Sequence, residues 1–269
     1  MIYLKTLFYA PNEIKYIKLN LMESFKYIDK FIICEFNRTH VGSDKELIFK
    51  NFLKDFVEKE KEKIIYIGAD ISKLTKYSKE DSAIMHENEK IMRGYFSSQI
   101  DLKDNDIVIS LDADEIIFEQ YYKKLLSNLN FFNNIFILQI YQFFYRINYL
   151  WENKKFIAPV ICRAKCYKHK FPGQWRYEGR LVPYFVGCHF SWCISIEEMM
   201  EKLNSYAHTA DYKNFADKEL LENAIEKKIY PFSPNEDFKI KVLDIYKDNL
   251  YYPKSIFNIL DQFNNLIGK

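Results

Sequence analysis

The segment Ile107–Ile117, IVISLDADEII, carries an apolar run directly into three carboxylates, Asp112, Asp114 and Glu115. Its first five residues are mostly apolar and β-branched, which is typical of a short strand that is buried on both faces. In an open sheet of parallel strands, ligands bind outside the carboxyl ends of the strands. The segment therefore predicts a central strand that presents acidic side chains to a ligand.

The composition is that of a folded protein with a sizeable core. The chain has 269 residues, of which 48% are hydrophobic and 17% aromatic, and this excludes a disordered protein. The 39 basic and 37 acidic residues leave a formal net charge of only +2, so no basic face for nucleic acid is indicated. Because repeats and Gly/Pro-rich linkers are missing from the sequence, we expect a single domain over residues 1–269.

The sequence indicates neither a secretion signal nor a transmembrane segment. The N-terminus lacks the cationic head and the cleavage site of a signal peptide. Polar residues interrupt the most apolar stretch, residues 131–151, whereas a span needs about 20 mostly apolar residues, so we expect strands there. The five cysteines are an odd number, which favours reduced thiols. We therefore expect a cytoplasmic protein, with peripheral attachment at the inner face of the membrane as an alternative.

Strands and helices alternate along the first half of the chain, which predicts an α/β fold with a mostly parallel sheet between helices. The predicted strands are Ile2–Phe8, Phe31–Phe36, Ile64–Ile67, Ile107–Leu111 and the run Leu181–Val186. The predicted helices are Glu13–Phe25, one that opens at the capping box Ser43–Glu46, Glu87–Ile100, Ile196–Tyr206 with Ser195 as its cap, Asp217–Lys228 and Ile256–Ile267.

The acidic strand end has two interpretations. Alternation along an extended chain places Asp112 and Asp114 on one side, where two carboxylates repel each other unless a cation neutralises them. Mn²⁺ or Mg²⁺ would do so through oxygen ligands and would also bind phosphates. Alternatively, the segment is an acidic turn in which one aspartate caps the following helix.

A second cluster of polar and aromatic residues is Gly187–Cys193, GCHFSWC. His189 is a candidate third metal ligand, because neutral imidazole suits Mn²⁺. The alternative is a histidine that is hydrogen-bonded among aromatic side chains. A structural zinc site is a further alternative, although the Cys-x3-Cys and Cys-x4-Cys spacings are not those of a zinc knuckle. Its ligands would come from Cys162, Cys166, His169, Cys188 and Cys193.

Together these segments resemble glycosyltransferase family 17. The resemblance runs from about residue 3 to residue 265 and rests on five motifs in order: Asn12-Glu13, Glu35 with Asn37 and Thr39, Glu89 with Arg93, Asp112–Ile116, and Gly187–Ser191. The sequence departs from the family pattern at Cys188, where the family usually has Trp, and at Ile117, where Pro often follows. The membrane anchor of the animal enzyme has no counterpart here, which suggests a soluble bacterial or viral member.

The resemblance implies a GT-A fold, in which helices flank a Rossmann-like mixed sheet. It also implies a metal-dependent, inverting transferase that moves a sugar from a UDP-sugar to a saccharide acceptor with a β-linkage. The donor would be UDP-GlcNAc and the activity similar to that of a β-1,4-N-acetylglucosaminyltransferase. Residues 1–117 would then form the half that binds the nucleotide sugar, and residues 118–269 the acceptor side.

The family order also suggests roles for individual residues. The metal ligands would be Asp112, Asp114 and His189, and the cofactor Mn²⁺ or Mg²⁺. The donor would contact Glu13, Glu35, Arg93, Asp112, Arg180 and Lys202, of which the cationic side chains suit phosphates. The alternatives are a surface ion pair for each cation and a favourable helix N-terminal charge for Glu13.

An inverting reaction needs one general base on the acceptor hydroxyl, and a carboxylate suits this role. Glu178 is the first candidate, Asp211 the second and Glu115 the third, although the position of Glu115 suits support of the acidic turn better. The aromatic residues Trp175, Tyr177 and Trp192 could stack on a sugar ring or simply be buried.

Two other functions use the same residues. A metal-dependent phosphotransferase would need a second group of acids for a second metal, and the sequence offers no clear one. A nucleotide- or carbohydrate-binding module would keep the ligand site but not the turnover.

Overall fold

A computed structural model describes residues 1–131, 135–168, 179–233 and 236–268, and one mixed sheet organises them. The strands are β1 Ile2–Leu7, β2 Lys30–Phe36, β3 Ile64–Ala69, β4 Ile107–Ser110, β5 Glu115–Ile117, β6 Phe136–Phe144, β7 Tyr149–Arg163, β8 Arg180–Ser191 and β9 Ile240–Val242. Their order in the sheet is β3-β2-β1-β4-β7-β6-β8-β5, and β9 pairs with β7.

Short helices connect and cover these strands. The α-helices are α1 Ile14–Ser24, α2 Glu58–Lys61, α3 Ser82–Gly94, α4 Glu119–Phe131, α5 Ala164–Lys168, α6 Ile196–Leu203, α7 Thr209–Tyr212 and α8 Lys218–Lys227. The 3₁₀ helices are Pro11–Glu13, Phe49–Asp55, Tyr95–Ser98, Lys213–Phe215, Asn249–Tyr251, Lys254–Asn258 and Leu260–Leu266. No helix in these described ranges is long and apolar enough to cross a membrane.

The first four strands are parallel, so their carboxyl ends lie at one edge of the sheet. Leu7 pairs with Cys34 across β1 and β2, and Lys5 pairs with Ser110 across β1 and β4. Beyond β4 the sheet becomes mixed, because β7 runs antiparallel to both β4 and β6, whereas β8 runs parallel to β6. The predicted fold class, a Rossmann-like mixed sheet flanked by helices, is confirmed.

The alternation of side chains along β2 explains why helices cover both faces of the sheet. Phe31 and Ile33 enter the core that α1 covers, together with Ile17. Ile32 and Cys34 enter the opposite core, which includes Met92 and Phe96 of α3 and the helical turn after it. A strand with both faces buried must be apolar throughout, as the sequence FIIC is.

The predicted capping box at Ser43–Glu46 is wrong. No helix begins there, and the following residues form the 3₁₀ helix Phe49–Asp55. The N–H groups of Ile48 and Phe49 donate to the carboxylate of Glu35, at 2.8 and 2.9 Å, so this buried side chain from β2 caps the 3₁₀ helix instead. The box at Ser195 is confirmed, since Ser195 and Glu198 bond reciprocally at the start of α6.

Two other helix predictions also need correction. The predicted helix Ile256–Ile267 is a pair of 3₁₀ helices, because Ile259, with φ −134° and ψ 22°, leaves helical geometry between them. The predicted helix Glu87–Ile100 starts earlier, at Ser82, where Asp81 caps it.

All five cysteines are free. Cys34, Cys162, Cys188 and Cys193 are buried, and Cys166 is half-buried. Within the described ranges, no cysteine belongs to a group of three potential metal ligands, and the alternative of a structural zinc site therefore has no support there. Its remaining candidate ligand, His169, lies outside the described residues.

We predict that Glu35→Ala destabilises the protein by about 3–5 kcal/mol, because it leaves the half-buried Lys45 and two backbone N–H groups without their partner. In addition to Ile48 and Phe49, the carboxylate accepts hydrogen bonds from Lys45 Nζ and Tyr66 Oη, each at 2.8 Å. Urea denaturation measures the change. The exposed neighbour Glu46 provides the control, and equal stability of Glu35→Ala and Glu46→Ala would contradict the capping role.

Candidate active site

The acidic turn between β4 and β5 is fixed by hydrogen bonds from three directions. The Asp112 N–H donates to Glu115 Oε2 at 2.8 Å, and the Glu115 N–H donates to the Asp112 carbonyl at 3.1 Å. Asn20 Nδ2 of α1 donates to the Ala113 carbonyl at 2.9 Å, and the Phe190 N–H donates to the Asp114 carbonyl at 2.9 Å. The buried Glu115 therefore supports the turn, in agreement with its predicted structural role.

Arg93, in the last turn of α3, holds the carboxylate of Asp112. Its two terminal nitrogens reach the Asp112 oxygens at 2.5 and 2.8 Å, and its Nε donates to Glu89 Oε1 at 2.8 Å, one helical turn earlier. Burial alone would raise the pKa of Glu89, but the charge of Arg93 outweighs it and lowers the pKa to about 2. Arg93 thus acts as an internal counter-ion to two carboxylates.

Asp114 faces His189 instead. Oδ1 of Asp114 lies 3.5 Å from Nε2 of His189, which β8 brings alongside β5 through the pairing of His189 with Glu115. His189 Nδ1 lies 2.9 Å from Oε1 of Gln142 on β6, an acceptor, so we assign the proton to Nδ1. The ring of Phe156 packs on the imidazole, with 4.0 Å between centroids. In the neutral imidazole, Nε2 is then the nitrogen without a proton, and it faces a carboxylate.

This arrangement fits a divalent cation. Two electron-rich atoms at 3.5 Å repel each other unless a proton or a cation lies between them. Adjacent ligands of an octahedral ion with bonds of about 2.1 Å are separated by about 3 Å, so a small adjustment lets both atoms bind one ion. The hydrogen bond between His189 Nδ1 and Gln142 orients the imidazole, as is usual for histidine ligands. Asp112 lies in the same turn, but as a ligand it stays a prediction, because Arg93 occupies both its oxygens.

Glu13 and Lys202 also lie within electrostatic reach of Asp114. Burial raises the pKa of Glu13 to about 7, and the charge of Asp114 contributes in the same direction. The Glu13 carboxylate accepts a hydrogen bond of 2.6 Å from the Tyr9 N–H. Lys202 of α6 lies with Nζ 5.1 Å from the Trp192 ring centroid. Burial would raise the pKa of Asp114, but His189 and, to a smaller extent, the charge of Lys202 lower it. Trp192 itself is buried.

The remaining predicted site residues are placed less favourably. Arg180 opens β8 and is separated from His189 by nine residues, about 30 Å of extended strand, so its predicted phosphate contact does not fit this placement. Glu35 is fully buried with its oxygens occupied by protein donors, which favours the capping role. Asp211 is exposed beside His208. Glu178, Trp175 and Tyr177 lie outside the described residues.

Sequence reasoning missed several polar residues around the site. Lys5, within β1, is fully buried beneath the acidic turn, and burial lowers its pKa to about 8. Its Nζ has no hydrogen-bond partner among the described residues. The ring nitrogens of His40 are likewise enclosed without a partner there, and burial lowers its pKa to about 4. A lysine in the strand IYLKTL and a glutamine in FILQIYQFF were the available signals.

Comparison with protein families gives a match over most of the chain. The sequence model of glycosyltransferase family 17 matches residues 4–235. No curated protein matches the sequence significantly.

Solved structures resemble the chain only distantly. A 4-diphosphocytidyl-2C-methyl-D-erythritol synthase from Anaerococcus prevotii is 14% identical with a TM-score of 0.39, covering 62% of this chain and 72% of that one. Another synthase of that name is 8% identical with a TM-score of 0.41, covering 69% and 88%. A galactosyltransferase with donor and acceptor sugar analogues is 11% identical with a TM-score of 0.37, covering 63% and 60%. Structural similarity at this level supports no conclusion about function.

We predict that acid destabilises the fold partly through His40. Burial lowers the pKa of His40 to about 4 in the folded state, whereas a histidine in an unfolded chain binds a proton near pH 6.5. The unfolded state therefore gains protons first as the pH falls, which costs about 2 kcal/mol of stability between pH 7 and pH 5. The substitution His40→Phe should remove this part of the pH dependence. Urea denaturation at pH 7 and pH 5 measures it, and an unchanged difference between the two would contradict the assignment.

Proposed function

The chain belongs to glycosyltransferase family 17, and from this we propose that it is a metal-dependent, inverting transferase that moves GlcNAc from UDP-GlcNAc to a saccharide hydroxyl. Family membership supports sugar transfer over the phosphotransferase alternative. The proposal extends it in three respects: the metal, the donor and the stereochemistry. The metal rests on the residues around the acidic turn, whereas the donor and the stereochemistry rest on the resemblance to the family, and each is tested separately.

The contact between Asp114 and His189 carries the metal-dependent part. The carboxylate and the unprotonated imidazole nitrogen converge at 3.5 Å, at the edge of the sheet where the parallel strands end. They would hold Mn²⁺ or Mg²⁺, with Asp112 adjacent in the same turn. A divalent ion bound there would neutralise the charge that develops on the diphosphate leaving group. Gln142 keeps the imidazole in the tautomer that this requires.

The other side chains at this edge would position the donor. Arg93 neutralises Asp112 and holds the turn in one orientation, whether or not it touches the phosphates itself. Lys202, near Asp114, supplies a positive charge that suits a phosphate oxygen. Glu13 would accept hydrogen bonds from the nucleoside or sugar hydroxyls, because its carboxylate lies within electrostatic reach of Asp114 and Lys202.

Inversion needs a carboxylate that removes the proton from the acceptor hydroxyl while its oxygen attacks the anomeric carbon and the diphosphate leaves. Among the described candidates, Asp211 has the most suitable surroundings. It is accessible to an acceptor and lies 3.0 Å from His208 Nδ1, which orients it. Glu178 remains the alternative base. A turnover assay distinguishes a transferase that uses either base from a binding module that does not catalyse transfer.

We predict that Asp114→Asn and His189→Gln each lose the combined effect of UDP and Mn²⁺. In the parent protein, the two ligands together should raise the melting temperature well above either alone, because each helps the other to bind the folded state. Each variant should lose this gain and about 100-fold or more in turnover, the scale for losing one electrostatic contact to the transition state. Released UDP and thermal melts measure the two effects.

The control for this pair is Asp101→Asn, which alters an exposed carboxylate elsewhere on the surface. It should retain both the thermal gain and the turnover. If Asp114→Asn behaves like Asp101→Asn, the metal site is not at the acidic turn.

The stereochemical part predicts a β-linked product from a donor whose anomeric carbon is α-linked to UDP. A donor screen that measures released UDP should favour UDP-GlcNAc, and the one-bond and three-bond couplings of the new anomeric proton in an NMR spectrum should report the β-configuration. An α-linked product would contradict the single-displacement mechanism. Faster turnover with another UDP-hexose would keep the mechanism and change the donor.

A further inference from the structure

Two histidines and an aspartate lie close together, and none of them is a proposed metal ligand at the acidic turn. His86 lies on α3, His208 immediately before α7, and Asp211 within α7. Their potential ligand atoms all lie within 4.8 Å of one another. Among the residues that the structure describes, these form the one group of three His, Cys, Asp or Glu side chains that lie close enough to hold a metal ion.

The contacts within the group already resemble those around a metal. The rings of His86 and His208 meet edge to face, with 4.8 Å between centroids and an interplanar angle of 76°. His208 Nδ1 lies 3.0 Å from Asp211 Oδ2, close to the separation of two ligands of one ion. His86 Nδ1 lies 3.5 Å from Glu89 Oε2, so a carboxylate outside the group can orient this ring while Nε2 turns towards His208.

We propose that His86, His208 and Asp211 form a second metal site that takes a borderline transition-metal ion such as Zn²⁺. Two imidazoles and one carboxylate select Zn²⁺, Cu²⁺ or Ni²⁺ over Mg²⁺ and Ca²⁺, which prefer oxygen ligands only. The three side chains are between 37% and 46% exposed, so an ion can enter and water can complete the coordination. Bonds of about 2.0–2.2 Å need only small rotations of these exposed side chains.

The site would join two elements that are distant in sequence. The rings of His86 and His208 already touch, and a shared ion would fix the segment around α7 onto α3. The link continues inward, since Glu89 contacts His86 through Oε2 and accepts the hydrogen bond of Arg93 through Oε1. Bound Zn²⁺ would therefore stabilise the helix that holds Asp112. This inference does not depend on the proposed donor or on the metal at the acidic turn, and with Asp211 bound to Zn²⁺ the base of the proposed transfer would be Glu178.

The test separates this site from the one at the acidic turn. In a full-length double variant, Asp114→Asn with His189→Gln, competition with a chromophoric zinc chelator should show one equivalent of Zn²⁺. Adding His86→Ala or His208→Ala should weaken that binding at least 10-fold. Lys90→Ala, an exposed change on the same helix, should leave it unchanged. Zn²⁺ should also raise the melting temperature of the double variant and not that of its His86→Ala derivative.

A second measurement keeps the proposal testable if the double variant folds poorly. In the parent background, His86→Gln should lower the bound Zn²⁺ by one equivalent. X-ray absorption of the zinc-bound parent protein should show a coordination shell with two imidazoles. Equal zinc binding in His86→Ala and Lys90→Ala would overturn the site. A sulfur-rich shell, or loss of zinc with Cys166→Ser, would assign the metal to cysteine and overturn it equally.

Discussion

The pairing of Arg93 with Asp112 determines what the acidic turn can do. Two aspartates at the end of one strand repel each other unless a positive charge is supplied. Arg93 supplies that charge to Asp112 from α3, with both terminal nitrogens engaged. This leaves Asp114 as the carboxylate that faces His189. A half-buried ion pair of this kind contributes little net stability, and we interpret it as a contact that fixes the orientation of the turn.

The mixed sheet is what makes the contact between Asp114 and His189 possible. After β4 the chain leaves the parallel half of the sheet, passes through the turn and enters β5, which pairs with β8 on the far side. The turn therefore connects the parallel and the mixed half of the sheet. Its Asp114 carboxylate meets His189, which lies about 75 residues later in the chain. In a purely parallel sheet a crossover helix would follow β4, and the turn could not run directly into a strand that pairs antiparallel with the segment of His189.

Features that depend on local pattern could be predicted from the sequence. The buried parallel strands, the acidic turn at the end of β4 and the cap at Ser195 all follow from periodicity and turn chemistry. Features that depend on distant partners could not. Glu35 caps a helix 14 residues away from its own strand, and Asn20 reaches Ala113 across 93 positions. Neither contact leaves a signal in the residues around it, so a capping box at Ser43 was predicted where a carboxylate from β2 does the capping.

The charged and polar groups around the turn give a physical reason to place the site there that is independent of the family. Burial raises the pKa of Glu13 and lowers that of Lys5 and His40. The charge of Asp112 or Asp114 also acts on the pKa of each of these groups. A protein that used this edge only for packing would gain stability by replacing such groups with apolar side chains of similar size. Buried groups with shifted pKa values concentrate where function requires them. Their convergence on one turn supports the proposal that a charged ligand binds there.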